Sequence, residues 1–160
     1  MGPVHHIDLV VRSMERSLPF YRELLRPLGY VHEGPITGER GEPVVYLGHA
    51  SHDASIGLRA AQSQAHPTPY DRYAVGVHHV AFRATGRWLV DERAAWLREQ
   101  GVEIESGPRD YDYIPGYYAV FFYDPDGIKL EIVHVPHDPD LAARVRELSE
   151  RVAGLEGRSS

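Results

Sequence analysis

The chain writes nearly the same strand twice, VHHIDLVV over residues 4–11 and VHHVAFRA over residues 77–84. In both, apolar and polar residues alternate, the period of a strand that buries one face. Ile7, Leu9 and Val11 occupy one face, with Val80 and Phe82 as their counterparts in the second copy. His6, Asp8 and His79 occupy the other. His79 follows His6 by 73 positions, and aligning the last strand of each copy sets Glu131 74 positions after Gly57. The register scarcely slips across the repeat, so the chain is expected to fold as two copies of one unit.

Each copy is expected to be a βαβββ module, giving an α+β fold. In module one, residues 4–59, RSMERSLPFYRELLRPLG predicts an amphipathic helix capped by Ser17, with Pro19 in its first turn and an end before Gly29. YVHEG, PVVYLGH and ASIGLRAA follow as three strands. Residues 60–76, small, polar and proline-containing, predict a linker. Module two, residues 77–136, repeats the order, with a helix capped by Thr85 and closed by Gly101, then VEIE, YAVFFY and IKLEIVHV. Leu141, Val145, Leu148 and Val152 predict a C-terminal helix within residues 137–160, ahead of a frayed tail.

Composition narrows the function. The net charge of −6, with sixteen arginines and one lysine scattered along the chain, offers no basic footprint for nucleic acid. No apolar run reaches the roughly 18 residues of a membrane span, and MGPVHHID lacks the features of a signal peptide, so a cytoplasmic location is expected. Without cysteine, a metal can be held only by nitrogen and oxygen, and ten histidines make that feasible.

The period-2 argument puts His6, His79 and Glu131 on the sheet surface facing away from the helices. A two-residue turn at Pro125 and Asp126 would pair Val120 with Glu131, so that Tyr118, Val120 and Phe122 share the glutamate's face. His5 and His78 are expected to point to the opposite face in structural or edge roles, and His134 toward the helices. Glu131 has an alternative partner in Lys129, two residues away.

The doubled βαβββ pattern, the two strand histidines, ERSLPFYRELL and GYYAVFFYDPDGIKLEIVH resemble the vicinal oxygen chelate superfamily over roughly residues 4–136. That group includes glyoxalase I, bleomycin-resistance proteins, fosfomycin-resistance enzymes, methylmalonyl-CoA epimerase and extradiol dioxygenases. The resemblance implies an open cup formed by the sheets of the two modules, with one divalent ion (Fe, Mn, Ni or Zn) at its base. It also implies a small oxygen-bearing substrate, and a homodimer, since such proteins pair through sheet edges or exchange modules. Carried over by alignment, the ligand positions fall on His6, Gly57, His79 and Glu131. Glyoxalase I and the epimerase carry Glu and Gln at the second of these, so Gly57 argues against both. The remaining two histidines and carboxylate resemble the sets of extradiol dioxygenases and of fosfomycin-resistance enzymes. An extradiol-dioxygenase-like enzyme is the reading preferred, with a thiol transferase and a metal-free bleomycin-resistance-type binding protein as alternatives.

Further residues are expected around the ion. Tyr118 is the candidate general acid or oxygen-orienting phenol. Tyr46, Asp8, Arg83, Phe122 and Tyr113 of the loop RDYDYIPGYY are candidate substrate contacts, and Asp8 and Arg83 could instead bridge to each other across the cup.

Overall fold

The computed structural model describes residues 4–63 and 71–136, which form two βαβββ modules in an α+β fold. Module one comprises β1 (His6–Val11), α1 (Met14–Leu25), a 3-10 turn (Arg26–Leu28), β2 (Tyr30–Thr37), β3 (Pro43–His49) and β4 (Ser55–Ala60). Module two comprises β5 (Val80–Arg83), α2 (Arg87–Glu99), β6 (Ile104–Asp110), β7 (Tyr118–Tyr123) and β8 (Lys129–His134). The sheets run β1-β4-β3-β2 and β5-β8-β7-β6, each with a parallel pair between its first and last strands. Matching strand orders confirm the repeat. The expected C-terminal helix and residues 64–70 of the linker lie outside the described residues. Among the described residues, no helix is long and apolar enough to cross a membrane.

The helix of module one starts a turn earlier than Pro19 suggested. Ser13, in extended conformation, caps it by accepting from the Arg16 amide at 3.3 Å, and Pro19 sits inside the helix. Proline removes the amide that would bond the Glu15 carbonyl, but Glu15 and Pro19 lie on the exposed side, where water can take that carbonyl. Ser17, Tyr21, Leu24 and Leu25 form the buried stripe. In α2 the cap is Gly86 without a side-chain hydrogen bond, one residue after Thr85. Its end is as expected. Gly101 takes φ +68°, and the Val102 amide returns to the Leu97 carbonyl.

The helix-facing sides of both sheets feed one core, in which Leu9, Val11 and Leu58 join Val80, Phe82, Leu130 and Ile132. The modules meet there through their helices. Phe20 packs on Trp96 with ring centroids 5.8 Å apart, and Arg93 donates to the Glu23 carbonyl at 2.9 Å.

The β7–β8 turn completes this junction. Asp124 Oδ1 accepts from the amides of Asp126 (2.8 Å) and Ile128 (2.7 Å), while Oδ2 accepts from the Tyr21 hydroxyl of α1 at 2.8 Å. Asp126 reaches the other end of the same helix, taking the Arg12 amide at 2.9 Å and the Arg16 guanidinium at 3.2 Å. Burial, foremost, pushes the Asp124 carboxyl above its usual range although three donors oppose the shift, and burial beside that carboxylate pushes the Tyr21 phenol well up. The Tyr21 hydroxyl therefore stays protonated, and donating, at neutral pH.

Tyr21→Phe keeps the ring and deletes only the bond to Asp124. It should cost about 1.5–3 kcal/mol, the usual loss for a buried hydrogen bond to a charged group. Urea unfolding measures this as a lower midpoint with an unchanged slope.

Candidate functional site

Alternation places the polar face of β5 and β8 as expected. Val80 and Phe82 are buried toward the helices, Ala81 and Arg83 face away, and Glu131 pairs with Ala81 in the parallel ladder. His79 stands just ahead of β5, and its Nε2 lies 3.2 Å from Glu131 Oε2. Glu131 is only 1% exposed. Its Oε1 accepts from the Tyr117 hydroxyl, whereas Oε2 is met only by the His79 imidazole. Burial, foremost, raises the Glu131 carboxyl above its usual range against the pull of Tyr117 and His79. The neighbouring Tyr117 phenol is raised by burial and by the carboxylate.

A buried carboxylate oxygen without a donor, facing an imidazole nitrogen, is a poor resting arrangement and a good half-site for a cation. Nitrogen and oxygen donors of this kind suit Fe(II), Mn(II), Ni(II) or Zn(II). His6 does not join this pair within the chain. Among the described residues, no three His, Asp or Glu side chains stand close enough to hold one ion. The expected meeting of His6, His79 and Glu131 thus finds two of its members together. The third is held apart because the modules pack through their helices, and the histidine-bearing faces do not meet.

The hairpin register differs from a two-residue turn, and the difference reassigns the aromatic residues. Asp124 to Ile128 form a longer turn, pairing Tyr123 with Lys129 and Phe121 with Glu131. Phe121 therefore shares the glutamate's face, its ring 6.1 Å from that of His79. Val120 and Phe122 turn into the core, where Phe122 is fully buried. Tyr118 likewise turns toward α2, donating to Asp91 at 2.6 Å beneath the Arg87 guanidinium, 4.0 Å above its ring. Tyr117 takes the place beside the glutamate that had been expected of Tyr118. Tyr113 is exposed at the rim and stacks on Tyr111, with its edge toward Tyr117.

Lys129 does not pair with Glu131. It is buried and donates to Glu105 at 2.5 Å, in a network with Arg72 and Tyr123. Burial opposes ionisation of Glu105, but these donors outweigh it and hold the carboxyl down to about 2. Arg83 donates to the Val135 carbonyl at 2.9 Å and does not bridge to Asp8. His134 has its Nδ1 3.3 Å from the Ala84 carbonyl.

Module one transposes the carboxylate. Asp8 pairs with Gly57 just as Ala81 pairs with Glu131, so each module sets one acid beside one small residue, on opposite strands. Asp8 Oδ2 accepts from Arg59 Nε at 2.6 Å and from the Tyr46 hydroxyl at 3.2 Å, and Arg59 also reaches the buried Glu42 at 2.6 Å. The Tyr46 ring stands edge-on to His6 at 5.8 Å. A Cβ at position 57 would collide with Asp8 Oδ1 and approach Tyr46 to 2.8 Å. Gly57 is therefore small because the acid has moved to the neighbouring strand. Arg59 and Glu42 escaped sequence reasoning. The available signal was a charge, Arg59, within a strand of otherwise small and apolar residues, and a second, Glu42, immediately before β3.

Gly57→Ala should destabilise the protein by about 1–3 kcal/mol, as overpacking does. Most of that penalty should vanish in an Asp8→Ala background, because the two residues compete for the same space. A thermal or urea double-mutant cycle reads the coupling.

A family model described as the Glyoxalase/Bleomycin resistance protein/Dioxygenase superfamily matches residues 4–132. The chain is 31% identical to YqjT of Bacillus subtilis, an uncharacterized protein, over 81% of this chain and 97% of that one. It is 27% identical to the metallothiol transferase FosB of Staphylococcus epidermidis, over 81% of this chain and 79% of that one. A solved glyoxalase/dioxygenase from Nostoc punctiforme superposes with a TM-score of 0.62 at 23% identity, covering 86% of this chain and 97% of that chain, a likeness of fold. With both modules, their strand order and the paired histidines accounted for, the chain belongs to the Glyoxalase/Bleomycin resistance protein/Dioxygenase superfamily.

Proposed function

We propose that the protein is a metal-dependent enzyme that chelates a small, oxygen-bearing organic substrate at His79 and Glu131 of module two. His6 of a second copy would complete the ligand set in a homodimer. The observation that carries this reading is the orphaned Glu131 Oε2, buried against His79 Nε2. When bound, a divalent ion held by two imidazoles and one carboxylate supplies Lewis-acid polarisation of substrate oxygens and keeps sites open for them.

The remaining work falls to the chain's own side chains. Tyr117 holds Glu131 through Oε1 and so aims Oε2 at His79. It assumes the orienting role that alternation first gave to Tyr118. Phe121 walls the site beside His79, with the Lys129 ammonium 4.6 Å from its ring. From module one, Asp8 and Tyr46 lie beside His6 and offer an acceptor and a phenol to polar groups of the substrate. Tyr113 flanks the entrance.

An extradiol-dioxygenase-like reaction remains the first reading, since the ligand set leaves room for a bidentate substrate and a further small ligand. Likeness to a metallothiol transferase favours thiol transfer as the second. Oxygen uptake with catechols under Fe(II) supports the first, and thiol consumption without oxygen uptake supports the second.

Anaerobically purified protein titrated with Fe(II), Mn(II), Ni(II) or Zn(II) in a calorimeter should bind at least one of them stoichiometrically. Glu131→Gln should weaken that binding by more than about 100-fold, since even outer-shell changes reach that size. A wild-type chain that binds none of the four would return the protein to the metal-free binding class.

A further inference from the structure

His79 stands just outside the ladder of its own strand. Pairing of β5 with β8 starts at Val80, so the histidine that faces Glu131 is the last residue of the segment 71–79, which leads from one module to the other. A ligand on such a segment must give up backbone freedom when it is engaged, unless something already holds the segment in place. Module one steadies the residue before its histidine from the β3–β4 turn, where Asp53 lies 3.5 Å from His5 Nε2. The β7–β8 turn has no acid to spare for this task. Its Asp124 is engaged by Tyr21 and by amides of the turn, and its Asp126 by Arg12 and Arg16.

In module two the hold comes from the far end of the segment. Arg72 Nη1 donates to Glu105 Oε2 of β6 at 2.7 Å and to the Tyr123 hydroxyl at the end of β7, and Nη2 donates to the Tyr73 hydroxyl at 3.2 Å. Glu105 is held in turn by Lys129 of β8 at 2.5 Å, so the guanidinium is tied to three strands of the sheet. A planar fork can meet a carboxylate and two phenols at once, which an ammonium cannot. Asp71 closes the turn around it, Oδ1 taking the Tyr73 amide at 2.9 Å. From there the contacts run ring to ring. The guanidinium lies 5.0 Å from the Tyr73 centroid, the Tyr73 ring 5.3 Å from that of His78, and the His78 ring stands edge-on to His79 at 5.0 Å. His78, expected on the opposite face, lies before alternation begins and turns onto its neighbour, as His5 turns onto His6.

We propose that Arg72 is a positioning residue, pinning the segment 71–79 to the sheet of module two and so keeping the His79 imidazole beside Glu131 and the Phe121 ring. The purpose of the pin rests on the metal-binding reading, but the placement of His79 is testable without any metal.

In metal-free protein, at one pH well above the histidine range, the Phe121 ring should shift the His79 ring C–H resonances away from their unfolded-chain positions, since the two centroids are 6.1 Å apart. Arg72→Gln should return those resonances toward the unfolded-chain positions and speed amide exchange over residues 73–79, while residues 118–134 stay protected. Arg72→Lys, which keeps the charge beside Glu105 but not the fork, should recover part of both effects. Tyr73→Ala removes an exposed ring one step further along the path and should move His79 in the same direction without disturbing the fold. Affinity for Fe(II), Mn(II), Ni(II) or Zn(II) should fall about 10-fold in Arg72→Gln, the low end of what is lost with an outer-shell partner, and partly recover in Arg72→Lys. His79 resonances that stay in place in folded Arg72→Gln or in Tyr73→Ala would overturn the proposal, even if the urea midpoint falls, because the arginine would then serve stability alone. If the wild-type chain binds none of the ions yet the variants displace and restore His79 as described, the pin stands and the metal-enzyme reading falls.

Discussion

The carboxylate of Asp124 sets the geometry on which both the module junction and the site depend. By accepting two amides of its own turn, it closes a loop longer than the sequence alone implies. Closing the loop this way shifts β7 by one residue against β8 and brings Phe121 opposite Glu131. One step in register exchanges every side chain between the two faces of a strand. Tyr118 and Phe122 go to the helix side, and the loop delivers Tyr117 to the glutamate. With its second oxygen the same carboxylate takes the Tyr21 hydroxyl and anchors module two on α1. Packing the modules through their helices leaves the histidine faces apart.

The two modules solve one local problem in two ways. Each sets an acid beside a small residue across the first and last strands. In module two the acid is on the last strand, buried, with one oxygen satisfied by a phenol and the other bare. In module one it is on the first strand, with Oδ2 taken by Arg59 and a phenol and Oδ1 likewise without a donor, so that what differs is the guanidinium. An arginine-paired carboxylate holds its charge in place and is engaged, whereas a donor-poor one remains open to a cation. On the metal-binding proposal, the guanidinium beside Asp8 and its absence beside Glu131 make module two the half that would offer a ligand pair.

Much of the fold was legible in the sequence, because the repeat and strand alternation are local signals. The number and order of strands, the face of Glu131 and the glycine end of α2 all follow from them. What escaped depends on contacts between distant residues or on a side chain acting as backbone. Proline rules put the start of α1 at Ser17, but exposure of its outer face allowed Pro19 inside the helix and Ser13 at the cap. The hairpin register was hidden in the hydrogen bonds of one aspartate. Lys129 found Glu105 because β6 brings that acid alongside, which no spacing of two residues could reveal. His5 and His78 were read by alternation although they stand at or before the point where their strands begin.

The central claim is that a cation is held by the His79–Glu131 pair together with His6 of another copy. Co-expression of His6→Ala and Glu131→Gln chains with different tags allows isolation of dimers containing one of each, in which one site would be intact and the other doubly broken. Such dimers should regain about half of the wild-type metal content while neither parental homodimer binds appreciably, given a two-fold assembly. Failure of the mixed dimers to bind metal at all, or undiminished binding by the His6→Ala homodimer, would contradict the account.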